Sequence, residues 1–178
     1  RLPAQMNNIQ YFGRGPEENY IDRNHGTVVG VYKTTADKIY FNYVRPQENG
    51  HRTDTRWIAL SPDKGKGLVI VADSLVGFNT LRNSIEDFDS EEALPHPYQW
   101  SNFTPEEVAN HNEKAARNVL RRMHHVNDIT PRDFVEVCVD MKQQGVGGYD
   151  SWGSRPEPIY QIPANREYNW GFTLVPLR

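Results

Sequence analysis

A ten-residue segment, Gln144–Gly153, which we call the glycine loop, combines residue types that suit sugar binding. Its four glycines allow a sharp turn and positive backbone φ angles. Asp150 and Ser151 precede Trp152, and their short side chains can hydrogen-bond to the local backbone and fix the turn. The ring of Trp152 would then offer a flat face to the C–H groups of a pyranose. The alternative is that Trp152 fills a core and the glycines only turn a hairpin.

Two further segments are dense in charged and turn-forming residues. The first charged segment, Tyr11–Arg23, contains five charges that can pair with one another, namely Arg14, Glu17, Glu18, Asp22 and Arg23. The second charged segment, Arg45–Trp57, contains the turn signal Asn49-Gly50 and three planar guanidinium groups, at Arg45, Arg52 and Arg56. Because unlike charges this close mostly pair with each other, we expect both segments to fix loops rather than contact a ligand.

The remaining polar residues do not form a recognisable catalytic or metal-binding pattern. His124 and His125 are adjacent and would diverge, and neither Cys-x-x-Cys nor His-x-x-x-His spacing is present. Glycoside hydrolysis needs two carboxylates about 5 to 10 Å apart, and no such pair stands out among the 23 acidic residues. A nucleophile elbow, a phosphate loop and a dinucleotide fingerprint are also missing. We therefore predict no catalytic residue, metal ligand or cofactor within this chain.

Composition narrows the class of protein. The 178 residues suit a single domain spanning 1–178, and the net charge of −3 does not favour nucleic acid or anionic membranes. No apolar run approaches the roughly 20 residues that a membrane helix needs. Cys138 is the only cysteine, so an internal disulfide is impossible. Because the sequence begins at Arg1 without Met, we expect a piece of a longer protein.

Hydrophobic alternation and turn chemistry predict an all-β, antiparallel β-sandwich. Pro62-Asp63-Lys64-Gly65 is a turn signal that predicts a hairpin. Alternation also predicts two buried sets, Val135, Val137 and Val139 in one strand and Trp170, Phe172 and Leu174 in another. The predicted strands are Met6–Phe12, Thr27–Tyr32, Thr55–Leu60, Gly67–Val71, Gly77–Leu81, Phe134–Met141 and Tyr168–Val175.

One segment departs from the strand pattern. Thr104-Pro105-Glu106-Glu107 supplies a capping residue, a proline at the first helical position and a capping-box glutamate. Apolar residues then recur at helical spacing as far as Met123. We expect one inserted helix from Pro105 to about Met123.

The glycine loop and the two charged segments together resemble a known family. The runs Tyr-Phe-Gly-Arg-Gly-Pro-Glu-Glu-Asn-Tyr-Ile-Asp-Arg, Arg-Pro-Gln-Glu-Asn-Gly-His-Arg-Thr-Asp-Thr-Arg-Trp and Gln-Gly-Val-Gly-Gly-Tyr-Asp-Ser-Trp-Gly resemble, in that order, the C-terminal domain of bacterial β-galactosidases of glycoside hydrolase family two. The resemblance covers the chain except the segment from about Asp89 to Arg122. It implies that the sandwich is part of a galactose-mutarotase-like supersandwich, and that this chain is the latter part of that domain.

The resemblance also implies where the chemistry lies. In this family the two catalytic glutamates and the magnesium site belong to a separate barrel domain, and this domain contributes the tryptophan that matches Trp152. The implied substrate-binding residues are Trp152, Asp150 and Tyr149, where Tyr149 stands in place of the usual Asp and adds a second ring. Gln144 replaces the usual Met. The implied partners are a β-galactoside, the upstream domains of the same protein and further copies in a homo-oligomer, with no nucleic acid or membrane.

Two other functions stay open at this point. The chain could be a stand-alone carbohydrate-binding β-sandwich whose site is Trp152 with Tyr149, or a structural domain that serves oligomer contacts. A gene of roughly a thousand codons with an upstream barrel would favour the enzyme, and a short gene with a signal peptide the binding module. The sequence does not distinguish a bacterial cytoplasmic from a periplasmic location.

Overall fold

The described part of the chain contains seven antiparallel β-strands, which form one sheet. The strands are β1 (Leu2–Pro3), β2 (Asn8–Gly15), β3 (Val28–Thr35), β4 (Arg52–Ser61), β5 (Gly67–Leu81), β6 (Phe134–Asp140) and β7 (Phe172–Leu177). Their order across the sheet is β1-β6-β5-β4-β2-β3, and β7 pairs with the first half of β5. The predicted all-β, antiparallel class is confirmed.

The structure is a computed structural model that describes residues 1–44, 47–88, 104, 106–107, 109, 126–150 and 153–177, except for the side chain of Glu86. These residues fall into two compact units. One unit comprises Arg1–Phe41, Asn49–Arg82 and Pro131–Arg178 and carries the whole sheet. The other comprises Asn42–Glu48 and Asn83–Thr130 and includes two 3₁₀ turns, Ile85–Asp87 and Val126–Asp128.

The core lies against the middle of the sheet, where β2, β4 and β5 are neighbours. Alternate residues of β2 are buried, including Ile9 and Tyr11, and they meet Ile58 of β4 and Phe78 of β5. The rings of Tyr11 and Phe78 meet edge to face, with centroids 5.1 Å apart. This packing holds β2, in which the first charged segment begins, and the start of β4, in which the second charged segment ends.

β5 is one long strand, whereas the sequence predicted two strands, Gly67–Val71 and Gly77–Leu81. The predicted break coincides with an irregularity in the pairing with β4. Thr55 pairs with Val76 and Trp57 with Val71, so the single β4 residue between them faces four residues of β5. The hairpin predicted at Pro62–Gly65 is confirmed, because β4 and β5 are antiparallel neighbours on either side of it.

The prediction that Trp170, Phe172 and Leu174 are buried is wrong. They are 44%, 40% and 55% exposed, and every residue of β7 is exposed. The reason is that no layer among the described residues covers either face of β7, which pairs with β5 alone among the described strands. In β6, Val135 is fully buried as predicted, but Val137 and Val139 are only half-buried.

The start of the predicted helix is confirmed. Glu106, Glu107 and Ala109 are helical, and the hydroxyl of Thr104 accepts a hydrogen bond from the Glu107 backbone N–H at 3.3 Å. In return, the Glu107 carboxylate accepts the Thr104 backbone N–H at 2.7 Å, which completes the capping box. The predicted continuation to Met123 falls almost entirely outside the described residues. Within the described ranges, no helix combines the length and the apolarity required to cross a membrane.

Arg82 closes the connection between β5 and β6. The backbone N–H of Arg132 donates to the Arg82 carbonyl at 2.7 Å, and Nη2 of Arg82 donates to the Arg132 carbonyl at 2.6 Å. Nε of Arg82 also donates to the Phe134 carbonyl at 3.2 Å. The paired strands β5 and β6 therefore end like a hairpin, although some fifty residues intervene in the sequence.

Candidate functional site

Arg52, at the start of β4, fixes the loop that follows β2. Its side chain is 5% exposed and donates to the carbonyls of Pro16 at 2.7 Å and Gly50 at 2.9 Å. It also donates to the Tyr11 hydroxyl at 3.3 Å. The prediction that the guanidinium groups of the second charged segment fix loops is confirmed for Arg52.

Asn19 joins the two charged segments. It is fully buried, and its amide nitrogen donates to the carbonyls of Arg14 at 3.2 Å and Glu17 at 3.1 Å. Its amide oxygen accepts from the Thr53 backbone N–H at 3.0 Å and the Thr53 hydroxyl at 2.6 Å. The Asn19 backbone N–H donates to the His51 carbonyl at 2.8 Å. One amide thus satisfies polar groups of both segments, as a buried side chain must.

The predicted ion pairs within the first charged segment are only partly correct. Glu18, which is almost fully buried, pairs with Arg23 at 3.4 Å and accepts the Gly50 backbone N–H at 2.9 Å. Arg14, by contrast, pairs with Asp54 of the second segment at 2.5 Å. The charges therefore tie the first segment to the second as well as to itself.

Asp22 joins the first charged segment to the glycine loop, across 124 residues of sequence. Its Oδ1 accepts the backbone N–H of Val146 at 3.1 Å, and its Oδ2 accepts that of Gly147 at 2.9 Å. The sequence predicted an ion pair for Asp22 and missed this contact. The available signal was the glycine loop itself, whose backbone donors need acceptors from elsewhere.

The glycine loop has the conformation that its glycines predict. Gly147, Gly148 and Gly153 have φ angles of 64°, 79° and 86°, in the left-handed region that favours glycine. The backbone N–H of Gly148 donates to the Ser154 carbonyl at 3.2 Å, and that of Gly145 donates to the Tyr160 carbonyl at 2.8 Å. The loop is therefore tied down at its start and across its base.

Of the predicted substrate-binding residues, the structure describes two. Tyr149 is 61% exposed, and Asp150 is exposed as well. Trp152 lies outside the described residues, as does Ser151. Tyr149 is thus a large aromatic side chain at the surface, on a loop whose base is fixed, as a sugar-stacking residue requires.

His51 is a buried residue that the sequence did not single out. It is 1% exposed and stacks on Tyr20, with ring centroids 5.5 Å apart. Burial and the neighbouring Arg52 charge lower the pKa of His51 to about 4, so its ring is neutral at pH 7. Its Nδ1 lies 3.9 Å from the Asp140 carboxylate and has no hydrogen-bond partner within the described residues.

A cavity of about 170 Å³ lies beside His51, where β6 ends and the glycine loop begins. Its walls include His51, Gly77 and residues Met141–Gln143. Nearby, Nε2 of Gln143 donates to the Asp140 carboxylate at 3.1 Å, and burial raises the pKa of Asp140. The cavity is large enough for a few water molecules.

The described residues do not include a group of three or more histidine, cysteine, aspartate or glutamate side chains that could hold a metal ion. The polar side chains described above instead bind backbone groups. These hydrogen bonds position a surface loop, the glycine loop, which carries the exposed side chains of Tyr149 and Asp150.

Comparison with known proteins identifies the family. The family model described as "Beta galactosidase small chain" matches residues 1–174 of the chain. This chain belongs to the β-galactosidase small-chain family. The predicted relationship to the C-terminal domain of bacterial β-galactosidases is thereby confirmed.

Individual relatives agree with the family match. A protein named beta-galactosidase from Priestia megaterium is 34% identical over 99% of this chain. A beta-galactosidase from Streptococcus thermophilus is 27% identical over 99% of the chain, and one from an Arthrobacter species is 38% identical over 55% of it. The chain spans only 14%, 14% and 10% of the length of these three relatives.

Proposed function

We propose that this chain is the part of a β-galactosidase that supplies a substrate platform, formed by Trp152 with Tyr149 and Asp150. The enzyme would hydrolyse terminal, non-reducing β-D-galactose residues. The observation that carries the proposal is the attachment of the glycine loop, whose base is hydrogen-bonded to Asp22, Ser154 and Tyr160 while Tyr149 stays exposed. A fixed, exposed aromatic side chain binds a sugar face with little loss of conformational entropy.

The family assignment supports the rest of the mechanism. The resemblance implies that the two catalytic glutamates and the magnesium site lie in a separate barrel domain, and the small share of each relative that this chain covers leaves ample length for one. In a retaining glycosidase one carboxylate attacks the sugar and the other protonates the leaving oxygen, so both must flank the scissile bond. The platform would contact the aglycone side and orient the bond between them.

Trp152 tests this proposal in the full-length β-galactosidase. Trp152→Ala should weaken substrate binding by about 1–3 kcal/mol, the scale of a lost aromatic contact, and Trp152→Phe should weaken it less. The measurement is KM and kcat for lactose and for an aryl galactoside. Because the carboxylates lie elsewhere, kcat should change less than KM.

Trp170 offers a matched control, since it is a partly exposed tryptophan that precedes β7 and lies outside the glycine loop. Trp170→Ala should leave KM unchanged. If Trp152→Ala also leaves KM unchanged for both substrates, Trp152 is a packing residue and the proposed platform is refuted.

A further inference from the structure

We infer that Asp22 is a positioning residue for the glycine loop, and that its carboxylate sets the affinity of the platform for the aglycone side of the substrate. This inference rests on the proposed function, because it assigns a cause to the placement of the platform. It concerns a residue of the first charged segment, far from the glycine loop in sequence.

The carboxylate of Asp22 holds two consecutive backbone groups. Oδ1 accepts the N–H of Val146 and Oδ2 accepts the N–H of Gly147, at 3.1 and 2.9 Å. A carboxylate that binds two neighbouring amides fixes the direction of the chain as well as its distance. An asparagine in the same place would offer only one acceptor oxygen, and its amide group would face the other N–H.

The loop backbone lies so close to Asp22 that there is no room for a side chain. A Cβ built on Gly145 would collide with the Asp22 carboxylate and come within 2.9 Å of the Tyr160 Cβ. A Cβ on Gly147 would approach the Ser154 carbonyl oxygen at 2.6 Å. Two glycines are thus required by the close approach of the loop to its supports, in addition to the φ angle of Gly147.

Asp22 is itself held by the rest of the molecule. It lies in a tight turn in which the backbone groups of Tyr20 and Arg23 bond reciprocally, at 2.8 and 3.3 Å. Earlier in the same segment, Asn19 and Glu18 are buried and bonded to the second charged segment. The position of the Asp22 carboxylate is therefore fixed through hydrogen bonds to residues at and just before the start of β4.

Both contacts of Asp22 lie at the base of the glycine loop, on the backbone N–H groups of Val146 and Gly147. Tyr149 and Asp150 follow directly, and the backbone N–H of Gly148 donates to the Ser154 carbonyl. If the base of the loop is displaced, Tyr149 and Asp150 should shift with it. Loss of the Asp22 carboxylate should consequently weaken binding to the platform while leaving the catalytic glutamates in place.

The test compares Asp22→Asn and Asp22→Ala in the full-length β-galactosidase, each alone and combined with Trp152→Ala. We expect Asp22→Ala to raise KM for lactose about 5- to 50-fold, within the range expected for loss of the Trp152 contact itself, with kcat changed less than about 3-fold. Asp22→Asn should give an intermediate KM. In the Trp152→Ala background, Asp22→Ala should change KM less than about 2-fold, because the group that it positions is gone.

Two further variants keep the test decisive. Gly145→Ala should also raise KM, because the added Cβ displaces the same contact. This variant provides the test where Asp22→Ala does not fold. Asp63→Asn, in the exposed β4–β5 turn, is the matched control and should have no effect.

The possible failures are distinguishable. An equal KM penalty for Asp22→Ala with and without Trp152 would overturn the inference and leave the platform intact. So would an unchanged KM in Asp22→Ala alongside a raised KM in Trp152→Ala. An unchanged KM in Trp152→Ala would overturn the proposed function and the inference with it.

Discussion

At the scale of single residues, buried polar side chains determine the geometry of the loops. Asn19, Arg52 and Glu18 each bind backbone groups from a different part of the chain. A buried donor or acceptor that loses its partner costs about 1–3 kcal/mol, so such residues admit few alternative loop conformations. His51 differs from them, because it is buried with one ring nitrogen unsatisfied by the described residues.

His51 should make the stability of the chain depend on pH. Its folded-state pKa of about 4 lies below the unfolded value near 6.5, so the unfolded state binds more protons between these two pH values. The His51 contribution therefore falls as pH drops from 6.5 towards 4, by roughly 3 kcal/mol at most. Asp140 acts in the opposite direction, because its folded pKa is raised.

The measurement is urea unfolding of the chain between pH 7 and pH 4. His51→Leu removes the histidine contribution alone, so wild type should lose more stability than this variant over that range. His25→Gln, at an exposed histidine, is the matched control. Parallel pH profiles for wild type and His51→Leu would contradict the assignment.

At the scale of elements, the sequence correctly predicted those features that depend only on residues close together in the chain. The Pro62–Gly65 turn and the Thr104–Glu107 capping box follow from local chemistry, and both are present. Alternation puts Phe172 and Leu174 of β7 on one face of the strand, but it does not say whether another layer covers that face. The contact of Asp22 with the glycine loop was not predictable either, because no spacing rule links residues 124 positions apart.

The unequal burial along β5 leads to a prediction about the sheet. The second half of β5 is buried and includes Phe78, whereas β7 beside its first half is exposed and includes Phe172. Phe78→Ala should lower the free energy of unfolding by about 3–5 kcal/mol, through lost burial and a cavity. Phe172→Ala changes the same side chain at 40% exposure and should cost less than half as much.

Urea unfolding of the two variants, with equal m-values as the check on two-state behaviour, measures the difference. Equal losses would mean that a layer covers β7 in solution. They would also restore the prediction that Phe172 belongs to a core.

At the scale of the whole molecule, the chain should be inactive by itself. Hydrolysis with retention needs a carboxylate on each side of the scissile bond, and the proposed function assigns both to the barrel domain. The purified chain should therefore not release the chromophore from an aryl galactoside. The full-length β-galactosidase, assayed at the same molar concentration, is the positive control, and turnover that follows the chain through purification would refute the expectation.

The Arg82 contacts also make the end of the β5–β6 hairpin an insertion point. The chain leaves the sheet at Arg82 and returns at Arg132, and these two residues are hydrogen-bonded to each other. They therefore act as two fixed anchors for the segment between them. The entropy of closing such an excursion grows slowly, by about 0.6 kcal/mol for each doubling of its length. We therefore expect a change in the length of the segment between the two anchors to disturb the strands less than loss of the Arg82 contacts would. For the same reason, a foreign domain inserted between Arg82 and Arg132 should leave the sheet able to form.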